Sequence, residues 1–416
     1  MERRLNYDVV VVGGGASGVA AAIGAAQAGK KVLVVERNAY LGGQATNSLV
    51  PAFCGYCTNG EEPKQVVKGV GQEVLDRMNK LGYFDDFTIS PTGNLIVPQD
   101  PEVTKVLFED MLKDHGIDCI LLCNLTGATT VDGVIKEIEC TDDEGKIFVE
   151  AKAFVDASGD ANLSYLAGAP VEFHHEQKGS MMFRLGNVPS PDCLKPDAME
   201  QAIEKAIADG VTGFTAKRGV AVHVPHTNDY LVNMIGLDFE SLDARTLTAQ
   251  EQDGRRQVKL YADTFVKYIP GLENSYLVQS GPRAGLRESR RIVGEYTITK
   301  DDSKTSKKTE LGIGRCGWGA EIHKSDGAGE SSWAIERGAK YFDIPIGSLK
   351  PQGMKNLWCA GRIISSDLIA SASIRVMGVG FASGHAAGVA AALNIGKDTY
   401  DVNEIRSELV RQGALL

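Results

Sequence analysis

Residues 7–37, YDVVVVGGGASGVAAAIGAAQAGKKVLVVER, constrain this chain more than any other stretch. Residues 8–12 are a short apolar, β-branched run suited to a strand buried on both faces. Gly13, Gly15 and Gly18 follow as G-x-G-x-x-G at a strand-to-helix turn. The first glycine permits the tight turn, the second admits a pyrophosphate, and the third lets helix and strand pack closely. Ala16 and Ser17 open a small-residue helix, predicted over 16–28. Its N-terminus offers N–H groups and a positive dipole end to phosphates. A second strand is predicted over 31–35, and Glu36 closes it with a carboxylate that can accept ribose hydroxyls and would repel a 2′-phosphate. The competing reading is a glycine-rich turn with no ligand. Strand, helix, second strand and acid in order favour a dinucleotide site.

Composition narrows the partners. A formal charge of −10 over 416 residues argues against nucleic acid or an anionic membrane surface. No run of 18 apolar residues predicts a membrane helix, and the opening MERRLNYD lacks the apolar stretch of a signal peptide. Eight cysteines without a disulfide-framework spacing suit a reducing, cytoplasmic setting. Lys304, Lys307 and Lys308 read as a solvated face.

Downstream glycines separate flavin from nicotinamide. Arg37 is followed by Gly42, Gly43, Gln44, Ala45 and Thr46, where glycines let a chain pass a ribityl and pyrophosphate without a clash. A predicted strand at 153–156 runs into Ser158 and Gly159, a second close approach. Near residue 360 the design repeats, with a strand ahead of Gly361 and Arg362. Arg375, Gly378, Val379 and Gly380 then open a glycine-punctuated, alanine-rich helix predicted over 373–388. Aimed N-terminus first at an isoalloxazine, it would stabilise negative charge on the reduced ring. A nicotinamide domain needs no such return, so the expected cofactor is FAD.

Six segments carry a family resemblance: GGGASG…VVER, LGGQATNSLVPAFCG, FVDASGD, LRESRRIVGEYTIT, YFDIPIGSLKPQGMKNLWCAGRIIS and SIRVMGVGFASGHAAGVAAAL. Together they run from residue 7 to about 393. The chain resembles the FAD-dependent oxidoreductases distantly related to the fumarate reductase and succinate dehydrogenase flavoprotein, within the glutathione-reductase-like FAD superfamily. The resemblance implies noncovalent FAD, two domains, and redox chemistry on a small organic molecule. The expected fold class is α/β: a Rossmann-like FAD-binding domain, with a parallel sheet, helices and a β-meander, joined to an α+β substrate or cap domain. The FAD-binding domain is expected to be discontinuous, over 1–60, 100–178 and 340–416. The cap is expected over 180–339, with an insertion over 61–99 near the active site. A helix is predicted over 102–113 with Val103, Val106, Leu107 and Leu112 inward. A strand over 119–122 and a hairpin over 133–139 and 146–150 follow. In the cap, strands are predicted at 181–185, 220–224 and 230–235, with helices at 199–209 and 249–268.

Several constellations could carry chemistry. Gly312-Ile-Gly314-Arg-Cys-Gly317 spells a second G-x-G-x-x-G, but no β-branched strand precedes it, and a loop is the expected reading. Without a nicotinamide domain, electrons would be exchanged with a diffusible donor or acceptor. Cys54 and Cys57 form a C-x-x-C, either a redox dithiol or two packing residues. His223 and His226 lack a further ligand at zinc spacing. Arg283, Arg287 and Arg290 would share one helical face at i, i+4 and i+7, as a substrate site or as a structural network with Glu288, Glu295 and the FAD phosphates. The related fumarate reductases use arginine for substrate and as proton donor, which by resemblance would suit one of these three, and Arg287 is the choice. Arg375 could contact flavin or substrate. His323 lies in an aromatic–acidic–histidine pattern seen in the subgroup and has the side chain best poised for proton transfer. His174 and His175 open the crossing into the cap, and Arg184 on a cap strand could face the pocket. His115 and His385 read as structural. The expected reaction is hydride transfer between flavin N5 and a carbon centre of a small polar organic substrate, with Arg287, His323 and Arg375 catalytic. A dithiol oxidoreductase and a non-catalytic flavin sensor are the alternatives, and homo-oligomerisation stays open.

Overall fold

The apolar run at residues 8–12 belongs to a longer strand, β1 (Arg3–Val12), in which Val9, Val10 and Val11 are sealed from solvent. It leads through the glycine turn into α1 (Ala16–Gln27) and β2 (Val32–Val35). β1 and β2 pair in parallel, with Val9 opposite Val32 and Val12 opposite Val35. These features come from a computed structural model that describes residues 3–90, 92–323 and 340–416. The 324–339 end of the expected cap lies outside the described residues.

A seven-stranded sheet organises the first unit. Its order is Asp118–Ile120, β2, β1, β3 (Gly145–Asp156), Val134–Asp142 and Asn124–Val131, with Leu357–Cys359 also on β3. The pieces predicted at 146–150 and 153–156 are thus one strand. Its first half runs antiparallel to Val134–Asp142, and its last residues run parallel to Leu357–Cys359 along the same edge. β1 occupies the other edge. The meander and the C-terminal return therefore hang on one strand: the meander leads into its N-terminal end, with Asp142 opposite Gly145, and Leu357–Cys359 delivers chain to its C-terminal end. This is a Rossmann-like α/β fold.

The alanine-rich C-terminal segment is two helices, Leu368–Ile374 and α2 (Met377–Leu393), bent by 92°. Ser373 and Arg375 therefore belong to the first helix and the bend, correcting the single helix predicted from 373. α2 packs on α1 backbone to backbone: a Cβ at Gly384 or Gly388 would overlap the backbone of Ser17 or Ala21. That contact is why this stretch reads as glycine and alanine rather than leucine. Among the described residues no single helix is long and apolar enough to cross a membrane. In the helix Pro101–Asp114, Leu107 and Leu112 are buried with Phe108 and Met111, but Val106 is 57% exposed, against expectation.

A second unit has a four-stranded antiparallel sheet, ordered Val220–His223, Tyr230–Asn233, Phe183–Gly186 and Tyr276–Ser280. Helices Pro196–Ala208 and Ala244–Tyr268 accompany it, and its own core includes Phe183, Leu185, Met199, Val232, Tyr261 and Phe265. The chain returns to the first unit earlier than expected. Ile298, Ile313, Cys316 and Trp318, from the stretch assigned to the cap, are buried in the large core around α1 and α2. Residues 312–316 form a strand, Gly312–Cys316, antiparallel to Phe342–Pro345, where a loop was expected. Gly314 allows close approach to α2, since a Cβ there would lie only 3.3 Å from that of Ala382. The LRESRR segment is not helical. Arg290–Ile292 is a strand antiparallel to Val171–Phe173, so the shared helical face of Arg283, Arg287 and Arg290 does not exist.

Candidate active site

A cavity of about 210 Å³ runs from Glu36 past Gly13 and Gly15 to Gly361, Met377 and Gly380. Its shape follows from the glycines. Gly13 has φ +103°, and a Cβ there would overlap the Ala157 carbonyl oxygen. The Glu36 carboxylate accepts the Gly14 N–H at 2.7 Å and the Asn38 N–H at 2.9 Å, which holds it at the end of β2 facing the cavity. Ala16, Ser17, Arg37, Gly43 and Gln44 line the same space, as do Ser158, Gly159, Arg362 and Arg375. An extended cradle floored by backbone, with a carboxylate at one end and a helix N-terminus at the other, fits FAD.

Five residues expected to touch the cofactor do not line this cavity. Gly18 serves packing, since a Cβ there would overlap the Gly13 carbonyl oxygen. Ala45 is fully buried, and Thr46 donates its hydroxyl to the Leu41 carbonyl at 2.8 Å. Gly378 leaves room for the backbone of Cys54 and Gly55, and Val379 is core. Sequence reasoning missed Asp160. It is buried, with Arg362 at 2.8 Å, Arg37 at 3.6 Å and Arg283 at 3.9 Å. Burial alone would push its carboxyl up, but Arg362, Arg283 and Arg37 outweigh this and hold it at about 2. Three guanidinium groups around one carboxylate leave this wall cationic, as a pyrophosphate requires. The readable signal was the acid directly after Ser158-Gly159.

A second cavity, of about 190 Å³, opens beside the first and shares Gln44, Leu286, Arg362, Arg375 and Met377 with it. Arg287, Glu321 and His323 line it, so the three residues singled out for catalysis meet in one space. Glu321 Oε1 lies 3.3 Å from His323 Nε2. The Arg375 guanidinium donates to the Glu321 carbonyl at 2.8 Å, and that of Arg287 donates to the Lys178 carbonyl at 2.7 Å. Burial, then the Arg287 charge, pushes His323 down to about 4 despite Glu321, so the imidazole is neutral near pH 7. Burial and Arg375 likewise lower Arg287 to about 9. Glu321 stays ionised, because its hydrogen bond to His323 and the two arginines outweigh its burial.

Other candidates fall elsewhere. Cys54 lines the second cavity, Cys57 does not, and both are free thiols. Burial pushes each thiol up to about 12, the opposite of an activated C-x-x-C. Arg184 is tied to Asp229 at 2.7 Å and lies away from the cavity, correcting its expected orientation. His174 sits within 4 Å of Glu172 and Glu176, and His175 stacks on Phe173, both outside the two cavities. Arg290 bonds Asn162 and covers Tyr165. His115 pairs with Glu73, and His385 with Gln412. His223 and His226 contact the carbonyls of Thr227 and Gly82, and no metal-holding cluster occurs among the described residues.

Comparison with known proteins agrees with this geometry. Residues 8–412 match the family described as FAD dependent oxidoreductase, and the chain belongs to it. It is 29% identical over 168 residues to a glutathione reductase of Debaryomyces hansenii, covering 37% of this chain and 34% of that protein. It is 28% identical over 166 residues to a thiamine thiazole synthase of Aeropyrum pernix, covering 38% and 57%. The chain thus spans between a third and somewhat over half of these relatives. Among solved structures, the p-nitrophenol 4-monooxygenase of Pseudomonas putida DLL-E4 shares the fold at TM-score 0.53 and 11% identity, covering 99% of this chain and 85% of that one.

Proposed function

We propose that this FAD dependent oxidoreductase transfers a hydride between flavin N5 and a carbon centre of a small organic substrate held in the second cavity. FAD, when bound, supplies the two-electron chemistry. The cradle from Glu36 to Gly380 would hold it, with Ser17, Arg37, Gly43, Ser158 and Arg362 among its contacts. The observation that carries this reading is the convergence of Arg287, His323 and Arg375 on a cavity that shares a wall with the cradle. Arg287 and Arg375 would orient an electron-rich group of the substrate through charge-assisted hydrogen bonds. His323, neutral and donating Nε2–H to Glu321, would take up a substrate proton at Nδ1. The second unit, which we limit to about 180–289, would cover the site and exclude water. Cap strand Val220–His223 and the hairpin Thr88–Pro98 each contribute wall residues. A diffusible donor or acceptor would complete the cycle. The test is anaerobic bleaching of the purified yellow protein by a panel of carboxylates, hydroxy acids, sugars and steroids. Bleaching by one class, lost in His323→Gln with flavin retained, is the expected result.

A further inference from the structure

The walls of the second cavity bear on substrate class, an inference that rests on the hydride-transfer reading of that site. Away from Arg287 and Arg375 the lining is largely apolar: Pro51, Ile96 and Trp318, together with Met182, Val220 and Val222 from the cap. Trp318 Nε1 is buried with no partner among the described residues, a single donor where a polyol needs several, and two pairs of polar wall residues satisfy each other. Ser90 and Thr92 hydroxyls lie 2.9 Å apart, and Ser180 donates to Asn233 at 3.0 Å. Neither pair asks for a ligand hydroxyl, which argues against a sugar or another polyol.

The arginines differ. Arg287 donates to one carbonyl and Arg375 to one carbonyl, although each guanidinium carries five N–H groups. Arg375 Nε is buried with no partner among the described residues. Around them stand Glu321, ionised, and His323, neutral. Arg362, the third guanidinium on the lining, is paired with Asp160 at 2.8 Å, and Glu288, which also acts on Arg375, is paired with Arg291 at 3.4 Å. Arg287 and Arg375 then face Glu321, one negative charge short of balance, and the two partly buried guanidinium groups repel each other until it is supplied.

We propose that the cavity takes a monoanionic substrate with an apolar body, such as an aliphatic or aryl carboxylic acid. Its head lies on Arg287 and Arg375, and its body lies along Met182, Val220 and Val222. The volume allows this: about 190 Å³ exceeds the roughly 150 Å³ apolar cavity known to take benzene. A second carboxylate would have to enter the apolar end unpaired, which disfavours small dicarboxylates.

The test uses the intact FAD-loaded protein and measures dissociation constants by thermal shift, and by flavin difference spectra under anaerobic conditions. The probes are octanoate, acetate, phenylacetate, octanamide, succinate and glucose. Octanoate or phenylacetate is expected to bind about tenfold or more tighter than octanamide or succinate, the factor a charged hydrogen bond supplies. Arg287→Met is expected to erase the preference of acid over amide with flavin content retained, and Val222→Asn to weaken octanoate relative to acetate. Should Arg287→Met fail to fold, Val222→Asn still tests the body site. Equal binding of acid and amide, tighter binding of succinate or glucose, or no binding of either acid at millimolar concentration overturns the inference. A different result separates it from the underlying reading: if the acids bind selectively but no compound in any class reduces the flavin, hydride transfer fails and the anion-plus-apolar site stands.

Discussion

The Arg375 guanidinium donates to the backbone carbonyl of Glu321 at 2.8 Å, tying the bend ahead of α2 to the loop that carries His323. One side chain thus sets the distance between the flavin cradle and the proposed proton acceptor. Arg375→Lys keeps the charge but loses the planar fork. We expect flavin to be retained and turnover to fall by roughly 100-fold, the scale for removing one oriented donor. Steady-state kinetics with a bleaching substrate, beside the flavin spectrum, checks it.

His323 sits at about 4 because burial and Arg287 disfavour its charged form. A base must be unprotonated, so kcat/KM is expected to hold down to about pH 4 and to fall below it, with no break near 6.5. Arg287→Met removes a neighbouring cation, and the acid limb should move upward. An acid limb that stays in place in this variant would argue against His323 as the group observed.

His385 is buried in α2, bonded to Gln412 and pushed down to about 4 by burial, against 6.5 for the ordinary imidazole. Its folded value lies below its unfolded value, so the unfolded chain takes up the proton first as pH drops. Stability from this group is complete above 6.5 and is lost progressively down to about 4, on the order of 3 kcal/mol in all. Denaturant titrations from pH 7.5 to 4.5 should show that slope, and His385→Gln should remove about half of it, since His323 is held equally low and contributes with the same sign.

Asp160 neutralises part of an arginine cluster that lines the cradle. Asp160→Asn leaves Arg362, Arg283 and Arg37 uncompensated and is expected to cost the cofactor-free protein roughly 3 kcal/mol. An anionic cofactor in the cradle offsets part of that loss. The stabilisation on adding FAD should therefore be larger in the variant than in the parent, as melting curves with and without FAD can show.

Cys54 and Cys57 remain the sharpest alternative. Both thiols are pushed up to about 12, so neither is a thiolate at neutral pH. The double Cys→Ser variant should keep its turnover and its flavin. Loss of turnover with the flavin intact would favour dithiol chemistry.

What could be read from residues alone tracked the range of the interactions involved. β1, α1 and β2 were legible because strand period, glycine turn and closing acid lie within thirty residues and act locally. The arginine segment was misread because charges at i, i+4 and i+7 suit a helix. Pro282 and Gly285 weaken that helix, and pairing of Arg290–Ile292 with Val171–Phe173, over a hundred residues away, decides the strand. Gly312–Cys316 reads as a loop because its glycines answer to close neighbours, Asp343 at Gly312 and Ala382 of α2 at Gly314, rather than to strand propensity. Arg287, His323 and Arg375 were chosen one at a time for their chemistry. Their meeting depends on three separate crossings of the chain, which no spacing rule encodes.

The glycine seam between α1 and α2 bears on how this protein is made in a cell. The two helices that press together there are separated by more than three hundred residues of chain, so during translation the first waits for the second. A nascent polypeptide exposes its nucleotide turn early, yet has no complete pocket until α2 has been made. Flavin capture therefore waits on both sides of the seam, and a product terminated ahead of α2 would emerge colourless.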